Sequence, residues 1–331
     1  MRRETAARYH PGPPSLRFGG IVAIPSLAAA SVAVKFLLAI TVALLCGLST
    51  GCCLWRQQNP VKESVVTSRQ FSQQGLNALS KNDLKEAEGY CSQAVRACPV
   101  DPHARRYYAD VLWAQGRYQE ALEQIDLAMG CPGVDQETRL RAVEMCLACK
   151  KTDAALVEVE RVIDNDPKSS DAWALRGRIM RQAGNSKQAL ADMQRALVYS
   201  PKRRDVLQET ADLYRQLGEP HKTLAALQEL ADTYGPGEEP PSLFEAQGDA
   251  YAALARPTDA ARQYRYAAKS GAESPTMLAN WAEAEAASGN MQAAYEAAQK
   301  ALAAAPQDPR NQELIQRTAA AVIPAGDVLR R

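Results

Sequence analysis

The sequence contains few of the residue combinations that enzymes use for chemistry. Its three histidines are His10, His103 and His221, and the last two stand more than a hundred residues apart. HExxH, GxSxG and glycine-rich phosphate-binding motifs do not occur, and carboxylates stand singly in segments with helical spacing, as Glu283 and Glu285 do. Because no catalytic constellation can be assembled from these residues, we expect no enzymatic activity, no catalytic residue, no metal and no cofactor.

The chain is also poor in aromatic residues and in net charge. Aromatic residues make up 6% of its 331 residues, and the formal charge is +1, so no overall field favours nucleic acid or an acidic substrate. Five basic residues and a single acidic one, Glu4, lie in residues 1–35, which we expect to be a disordered basic tail. Apolar residues make up 46% and alanine is abundant, which is typical of closely packed helices.

The eight cysteines do not form a recognisable disulfide framework. Cys146 and Cys149 form a CxxC, but neither a second CxxC nor a histidine pair completes a zinc site. We therefore interpret them as two small buried side chains. If the domain is exported, a disulfide remains open between some pair of Cys98, Cys131, Cys146 and Cys149.

A long apolar segment stands near the N-terminus. Residues 36–55 contain no charge and are long enough to cross a bilayer as a helix. The basic side of this segment is N-terminal, so the positive-inside rule places residues 1–35 in the cytoplasm and the rest of the chain on the non-cytoplasmic side. The segment predicts a transmembrane anchor; a buried core helix is the competing interpretation.

The same segment also permits a cleaved signal. Leu48-Ser49-Thr50-Gly51-Cys52 resembles a bacterial lipobox, with Ser49 where that motif usually has leucine. Cleavage before Cys52 and lipidation of its thiol would give a lipoprotein. Residues 36–55 therefore predict membrane attachment in one of two forms, an uncleaved helix or a lipid on Cys52.

Small or apolar residues recur at a fixed period through the rest of the chain. Three series keep gaps of 34 residues, except for one gap of 37. The first is Gly75, Ala109, Val143, Gly177, Ala211, Gly248 and Ala282. The second is Ala87, Ala121, Ala155, Ala189, Thr223, Ala260 and Ala294, and the third is Ala94, Ala128, Val162, Ala196, Leu230, Ala267 and Ala301.

Each period contains two breaks. The residues that would end a first helix are Asn82, Gly116, Gly184, Gly218 and Gly289. Proline stands where a second helix would stop, at Pro99, Pro167, Pro201 and Pro306. The pattern predicts two helices per period, and the turn-rich residues 235–241 predict a loop insertion between the fifth and sixth periods.

The repeat resembles the tetratricopeptide repeat family. Ala172-Trp173-Ala174-Leu175-Arg176-Gly177 matches the family's Trp…Leu-Gly opening, with Arg176 where leucine is usual, and Ala189, Ala196, Leu197 and Pro201 complete that unit. The resemblance covers residues 68–306 as seven units, after a linker at 56–67 and before a capping helix and tail at 307–331. The units are 68–101, 102–135, 136–169, 170–203, 204–240, 241–274 and 275–306.

This resemblance implies an all-α fold, a right-handed superhelix in which each first helix lines a concave groove. A protein or peptide partner is expected there, held by residues that the resemblance places on the inner face. These candidates are Arg106, Asp110, Trp113, Arg141, Glu144, Arg178, Arg181, Asp212, Arg215, Glu245, Asp249, Asn280 and Glu283. Trp113 serves either as an exposed binding anchor or as packing beneath its neighbour.

The sequence thus predicts a membrane-tethered scaffold that binds a peptide or helix of another protein. Ser72, Leu76, Arg106 and Asp110 do not reproduce the Lys and Asn set of repeats that hold chaperone tails, so we expect no such clamp. An alternative function is an accessory lipoprotein subunit of a bacterial envelope machine for pili, secretion or polysaccharide export. Self-association through the repeat ends is a third interpretation.

Overall fold

The computed structural model describes residues 60–271 and 274–322, with side chains from Glu63 onward, and within these ranges it is entirely helical. The described residues form fifteen helices, which confirms the predicted all-α solenoid. The first eight are α1 Pro60–Ser80, α2 Leu84–Ala97, α3 Pro102–Ala114, α4 Tyr118–Met129, α5 Gln136–Ala148, α6 Thr152–Asn165, α7 Ser170–Gln182 and α8 Ser186–Tyr199. The remaining seven are α9 Arg204–Gln216, α10 Pro220–Ala231, α11 Pro241–Ala253, α12 Pro257–Lys269, α13 Pro275–Ala287, α14 Met291–Ala304 and α15 Pro309–Val322.

The helices alternate between two roles. The odd-numbered helices from α1 to α13 are the first helices of successive pairs, and α2 to α14 are the second helices. The two helices of each pair are joined by a short turn, such as residues 115–117 between α3 and α4. Each helix packs on the one before and the one after it, and most consecutive first helices also touch. The core is therefore a continuous line of contacts between neighbours.

The turns within the pairs use the left-handed backbone conformation. In the turn after α3, Gly116 has φ 78° and its N–H donates to the Trp113 carbonyl (3.0 Å), while the Arg117 N–H reaches back to the Leu112 carbonyl (2.9 Å). These bonds satisfy carbonyls that the helix leaves open. The seven residues in this conformation are Asn82, Gly116, Lys150, Gly184, Gly218, Ala255 and Gly289.

Close helix contacts explain the small residues of the repeat. A Cβ added at Gly248 of α11 would lie 2.5 Å from the ring of Tyr264 on α12, and one at Gly75 would lie 2.4 Å from the Cys91 sulfur. Gly177 is somewhat less confined, with the Ala189 carbonyl oxygen 3.1 Å from an added Cβ. These helices approach each other closely because one of them contributes no side chain at the crossing.

The N-terminal helix begins earlier than the repeat pattern suggests. α1 starts at Pro60, so residues 60–67, which fall within the predicted linker 56–67, are helical. Proline is well suited to the first position of a helix, where its missing N–H is not needed. No helix among the described residues is both long and apolar enough to span a bilayer. The predicted anchor at 36–55 and Cys52 lie outside the described residues.

Candidate functional site

Grooves open along the face formed by the first helices, which we call the first-helix face. The N-terminal groove lies between α1 and α3 and has a volume of about 300 Å³. The central groove, about 340 Å³, is lined by α3, α5 and α7 together with Arg203. The C-terminal groove, about 460 Å³, lies between α11, α13 and the start of α12. A ligand on this face would therefore meet several separate cavities.

The central groove brings together five of the predicted residues, all of them charged. They are Arg106, Asp110, Arg141, Glu144 and Arg178. The Arg141 Nε donates to the Asp110 carboxylate (2.6 Å), and its Nη1 donates to Glu144 (2.7 Å). The charges of this groove are thus already partnered within the chain.

Burial changes the character of two of these residues. Arg106 is only 5% exposed, and its guanidinium contacts Glu137 at 2.5 Å. Burial raises the pKa of the Asp110 carboxyl, and the Arg141 guanidinium only partly offsets this. Both side chains contribute to packing between α3 and α5 as well as to the groove surface.

The predicted residues farther along the face also form ion pairs. Arg178 on α7 donates to Glu209 (2.7 Å) and to Asp205 (2.8 Å), both on α9. Arg181 contacts the same Glu209 at 3.6 Å. Asp212 and Arg215 contact each other at 3.1 Å on α9. This side of the face is therefore a row of charge pairs linking one first helix to the next.

A recurrent spacing underlies these pairs. Asp110–Arg141, Arg178–Glu209 and Asp249–Asn280 are each separated by 31 residues, as are Arg106 and Glu137. A residue on one first helix meets the residue one helical turn earlier on the next, because the units repeat every 34 residues. We call this set of contacts the first-helix ladder.

The C-terminal groove is built differently. Asp249 Oδ1 accepts hydrogen bonds from the Tyr264 hydroxyl (2.7 Å) and the Asn280 amide (3.1 Å). Glu283 is held by Arg310 from α15, which donates to both of its oxygens (3.0 and 2.8 Å). Alanines and one proline form much of the remaining wall. Three predicted residues thus come together beside an apolar surface.

Glu245 lies one turn before Asp249 on α11. Its carboxylate accepts a hydrogen bond from the Ser274 hydroxyl at 3.4 Å. Burial and the neighbouring Asp249 carboxylate together raise the pKa of Glu245. Two carboxyl groups therefore stand close together here, and the contacts of both are to neutral groups.

Trp113 packs within the helix stack. Its ring is partly buried and meets Tyr118 edge-on, with 4.7 Å between centroids, and it joins the core cluster of α3 to α7. This geometry corresponds to the packing interpretation offered from the sequence.

Several residues of the face were missed by sequence reasoning. They are Glu137, Asp171, Arg203, Asp205, Glu209, Tyr264 and Arg310. For Glu137 and Glu209, opposite charges 31 residues apart were a usable signal. For Arg203, Tyr264 and Arg310 the sequence carried no such signal, because they reach the face from a loop, a second helix and the last helix.

The described cysteines are all free, and within the described residues no group of three His, Cys, Asp or Glu side chains is placed to hold a metal. Cys146 is buried, and burial raises the pKa of its thiol. Cys149 is partly exposed. The arrangement of the described side chains is suited to binding through charge, hydrogen bonds and shape.

The chain belongs to the tetratricopeptide repeat family. A family model for this repeat matches residues 138–311, more than half of the chain, and a second matches residues 72–131. Members of the family are generally non-enzymatic scaffolds that bind other proteins. No curated protein matches the chain in sequence.

Solved structures share the fold at low sequence identity. A tetratricopeptide repeat protein from Parabacteroides merdae is 17% identical with a TM-score of 0.52, over 76% of this chain and 98% of that one. The C-terminal part of a repeat-containing protein from Cytophaga hutchinsonii is 15% identical with a TM-score of 0.60, over 74% and 99% of the two chains. The similarity extends over almost the whole of each of these structures.

Proposed function

We propose that the chain is a membrane-tethered scaffold that binds a segment of a partner protein along its first-helix face. The observation that carries this proposal is the run of grooves of about 300 to 460 Å³ that open between first helices on that face. Cavities of this size are suited to individual side chains of a bound segment. The charged groups around them favour one orientation of that segment.

The second helices offer a contrasting surface. Their exposed apolar residues, such as Val157 on α6 and Val198 on α8, stand singly. Isolated apolar side chains of this kind are ordinary on protein surfaces and do not require a partner. The first-helix face is therefore the better candidate for binding.

Site-specific photocrosslinking in cells would test the choice of face. A photoreactive residue is placed at Arg181 or Arg215 on the first-helix face and, as a matched control, at Val157 or Val198. We expect the same discrete crosslinked protein from both first-helix positions and none from the controls. Equal crosslinking from both faces, or none from the first-helix positions, would contradict the proposal.

Membrane attachment is the second part of the proposal. It is supported by the uncharged residues 36–55 and by the basic residues that precede them. The attachment takes the form of a spanning helix or of a lipid on Cys52, and either form places the repeats outside the cytoplasm. The alternative role, as an accessory subunit of an envelope machine, requires this location.

Mass spectrometry of the mature N-terminus separates the two forms. A lipoprotein would begin at Cys52 with an added acyl mass, and Cys52→Ala would leave the chain uncleaved whereas Cys53→Ala would not. A spanning helix predicts an intact N-terminus in all three proteins. Protease added to intact cells should digest the repeats; repeats that stay protected until lysis would refute the external location.

A further inference from the structure

We propose that the C-terminal groove receives a lysine or arginine side chain from the bound segment. This inference rests on the proposed function, and it specifies the chemistry that the partner must present. The groove offers an apolar wall for the stem of such a side chain and carboxylates for its charged end.

Charge balance singles out this part of the first-helix face. On α3, α5, α7 and α9, every carboxylate contacts an arginine. These seven are Asp110, Glu137, Glu144, Asp171, Asp205, Glu209 and Asp212. On α11, by contrast, Glu245 and Asp249 contact only neutral donors. The chain therefore leaves two negative charges here without a positive partner among the described residues.

Asp249 is oriented so that one oxygen remains available. Oδ1 accepts both of its hydrogen bonds, from Tyr264 and Asn280, and no donor among the described residues reaches Oδ2. Arg215 lines an adjoining cavity with Asp249, but its guanidinium contacts Asp212 instead. A cation from outside the chain would thus find a fixed carboxylate with a free acceptor.

The wall of the groove matches the rest of a basic side chain. It consists of Ala252, Ala255, Pro257, Ala284 and Ala287. Lysine and arginine carry several methylene groups that pack on apolar surface while the charged end stays with polar partners. An acidic side chain would place its charge beside Asp249 and Glu283, so the groove selects against it.

Ala255 adds a further observation. It adopts φ 54° in the turn between α11 and α12, where four of the other turns have glycine. A left-handed alanine is less favourable than glycine. Its methyl group, which glycine would lack, lines the groove. The sequence thus retains an apolar contact at a position where glycine would be the easier choice.

Peptide selection on the full-length chain tests the inference. A library of random peptides is selected against the wild-type protein, Asp249→Asn and the control Glu144→Gln, which alters an arginine-paired carboxylate of the central groove. Asparagine keeps an oxygen for Tyr264 and Asn280, and a thermal melt checks that the fold is retained. We expect a basic residue at a fixed peptide position for the wild type and the control, and its loss for Asp249→Asn.

A selected peptide is then compared with its counterpart carrying glutamine at the basic position. We expect the wild type to bind the basic peptide about tenfold more tightly, with a preference that weakens as salt rises, and Asp249→Asn to show little preference. Glu245→Gln should reduce the preference, and Ala255→Gly should weaken binding while raising the melting temperature.

The outcomes separate this inference from the proposed function. Peptides selected on the first-helix face without a basic preference, or with one that survives both Asp249→Asn and Glu245→Gln, would overturn the inference and leave the scaffold function standing. Failure to select any peptide would count against both.

Discussion

At the scale of single residues, two helical glycines differ in what surrounds them. Gly89 is exposed on α2, and an added Cβ would meet nothing within 4 Å. An added Cβ at Gly248 would overlap the Tyr264 ring at 2.5 Å. We expect Gly89→Ala to stabilise the protein by about 0.5–1 kcal/mol through helix propensity. Gly248→Ala should destabilise it by about 1–3 kcal/mol through overpacking.

Urea denaturation measures both changes, and each variant serves as the control for the other. If both substitutions stabilised the protein to the same extent, the close approach of α11 and α12 at Gly248 would be wrong.

A second residue-scale feature is a buried ion pair inside one helix pair. Arg176 replaces the leucine usual in the repeat, and its Nε and Nη2 donate to the two oxygens of Asp192 (2.9 and 2.6 Å). The Asp192 side chain is 4% exposed. The guanidinium also stacks on Trp173, 4.4 Å from the ring centroid. The pair lets a charged residue occupy an apolar position.

Removing one partner of this pair should cost more than removing both. We expect Asp192→Ala to destabilise the protein by about 3 kcal/mol, because Arg176 is left without its counter-charge. Arg176→Leu combined with Asp192→Ala should recover at least half of that loss. A double-mutant cycle by urea denaturation gives the comparison, and a double variant less stable than Asp192→Ala would contradict this account.

Glu245 predicts a pH dependence of stability. Burial and Asp249 raise its pKa above the ordinary 4.5, so the folded state is penalised once this carboxyl loses its proton. We expect Glu245→Gln to raise the melting temperature relative to wild type at pH 7, and this gain to disappear as the pH falls below 4.5. Thermal melts from pH 4 to 8 test this, with Glu144→Gln, which should give no gain at pH 7, as the control.

The sequence predicted residue spacing better than residue partners. The glycines and alanines of the repeat mark close contacts that the structure confirms, because a period of 34 is visible in the chain itself. Ion-pair partners depend on which helix faces which, and one chain offers many charges of each sign. Asp192 was therefore not foreseen as the partner of Arg176, and the neutralised state of the central groove was not foreseen either.

At the scale of the elements, the connection between α10 and α11 stands out. It covers residues 232–240, which is longer than the other described connections, and Gly237 in it has φ 81°. Among the described residues, no side-chain hydrogen bond or ion pair joins α9 to α11. The predicted loop insertion at 235–241 falls here, although Pro241 itself already begins α11.

We expect this connection to be the first site of cleavage in the described part of the chain by a glutamate-specific protease. Glu238 is exposed in a loop, whereas Glu86 and Glu123 are exposed on helices, where the backbone must unfold locally before cleavage. Mass spectrometry should place the first cut after Glu238, and Glu238→Gln should remove it. Earlier cleavage within α2 or α4 would contradict this ranking.

At the scale of the whole molecule, stability is passed between neighbours. α15 covers the last pair: Leu314 is buried, and the Asn311 amide donates to the carbonyls of Ala301 (3.0 Å) and Ala305 (3.3 Å) at the end of α14. We expect truncation after Pro306 to reduce amide protection in α13 and α14 strongly and in α3 to α8 very little. Hydrogen exchange measures this, and a uniform loss along the chain would show that the solenoid unfolds as one unit.

The first-helix ladder has a consequence for how such a gene can change. Near-identical segments of fixed length invite loss or duplication of a whole unit by recombination, and a solenoid would tolerate this if its units were interchangeable. Here they are not, because each ladder contact matches one unit to the next. Loss of residues 170–203 would bring Glu144 opposite Glu209, two carboxylates where the present neighbours supply arginine. The order and number of the units are thus written in their charges.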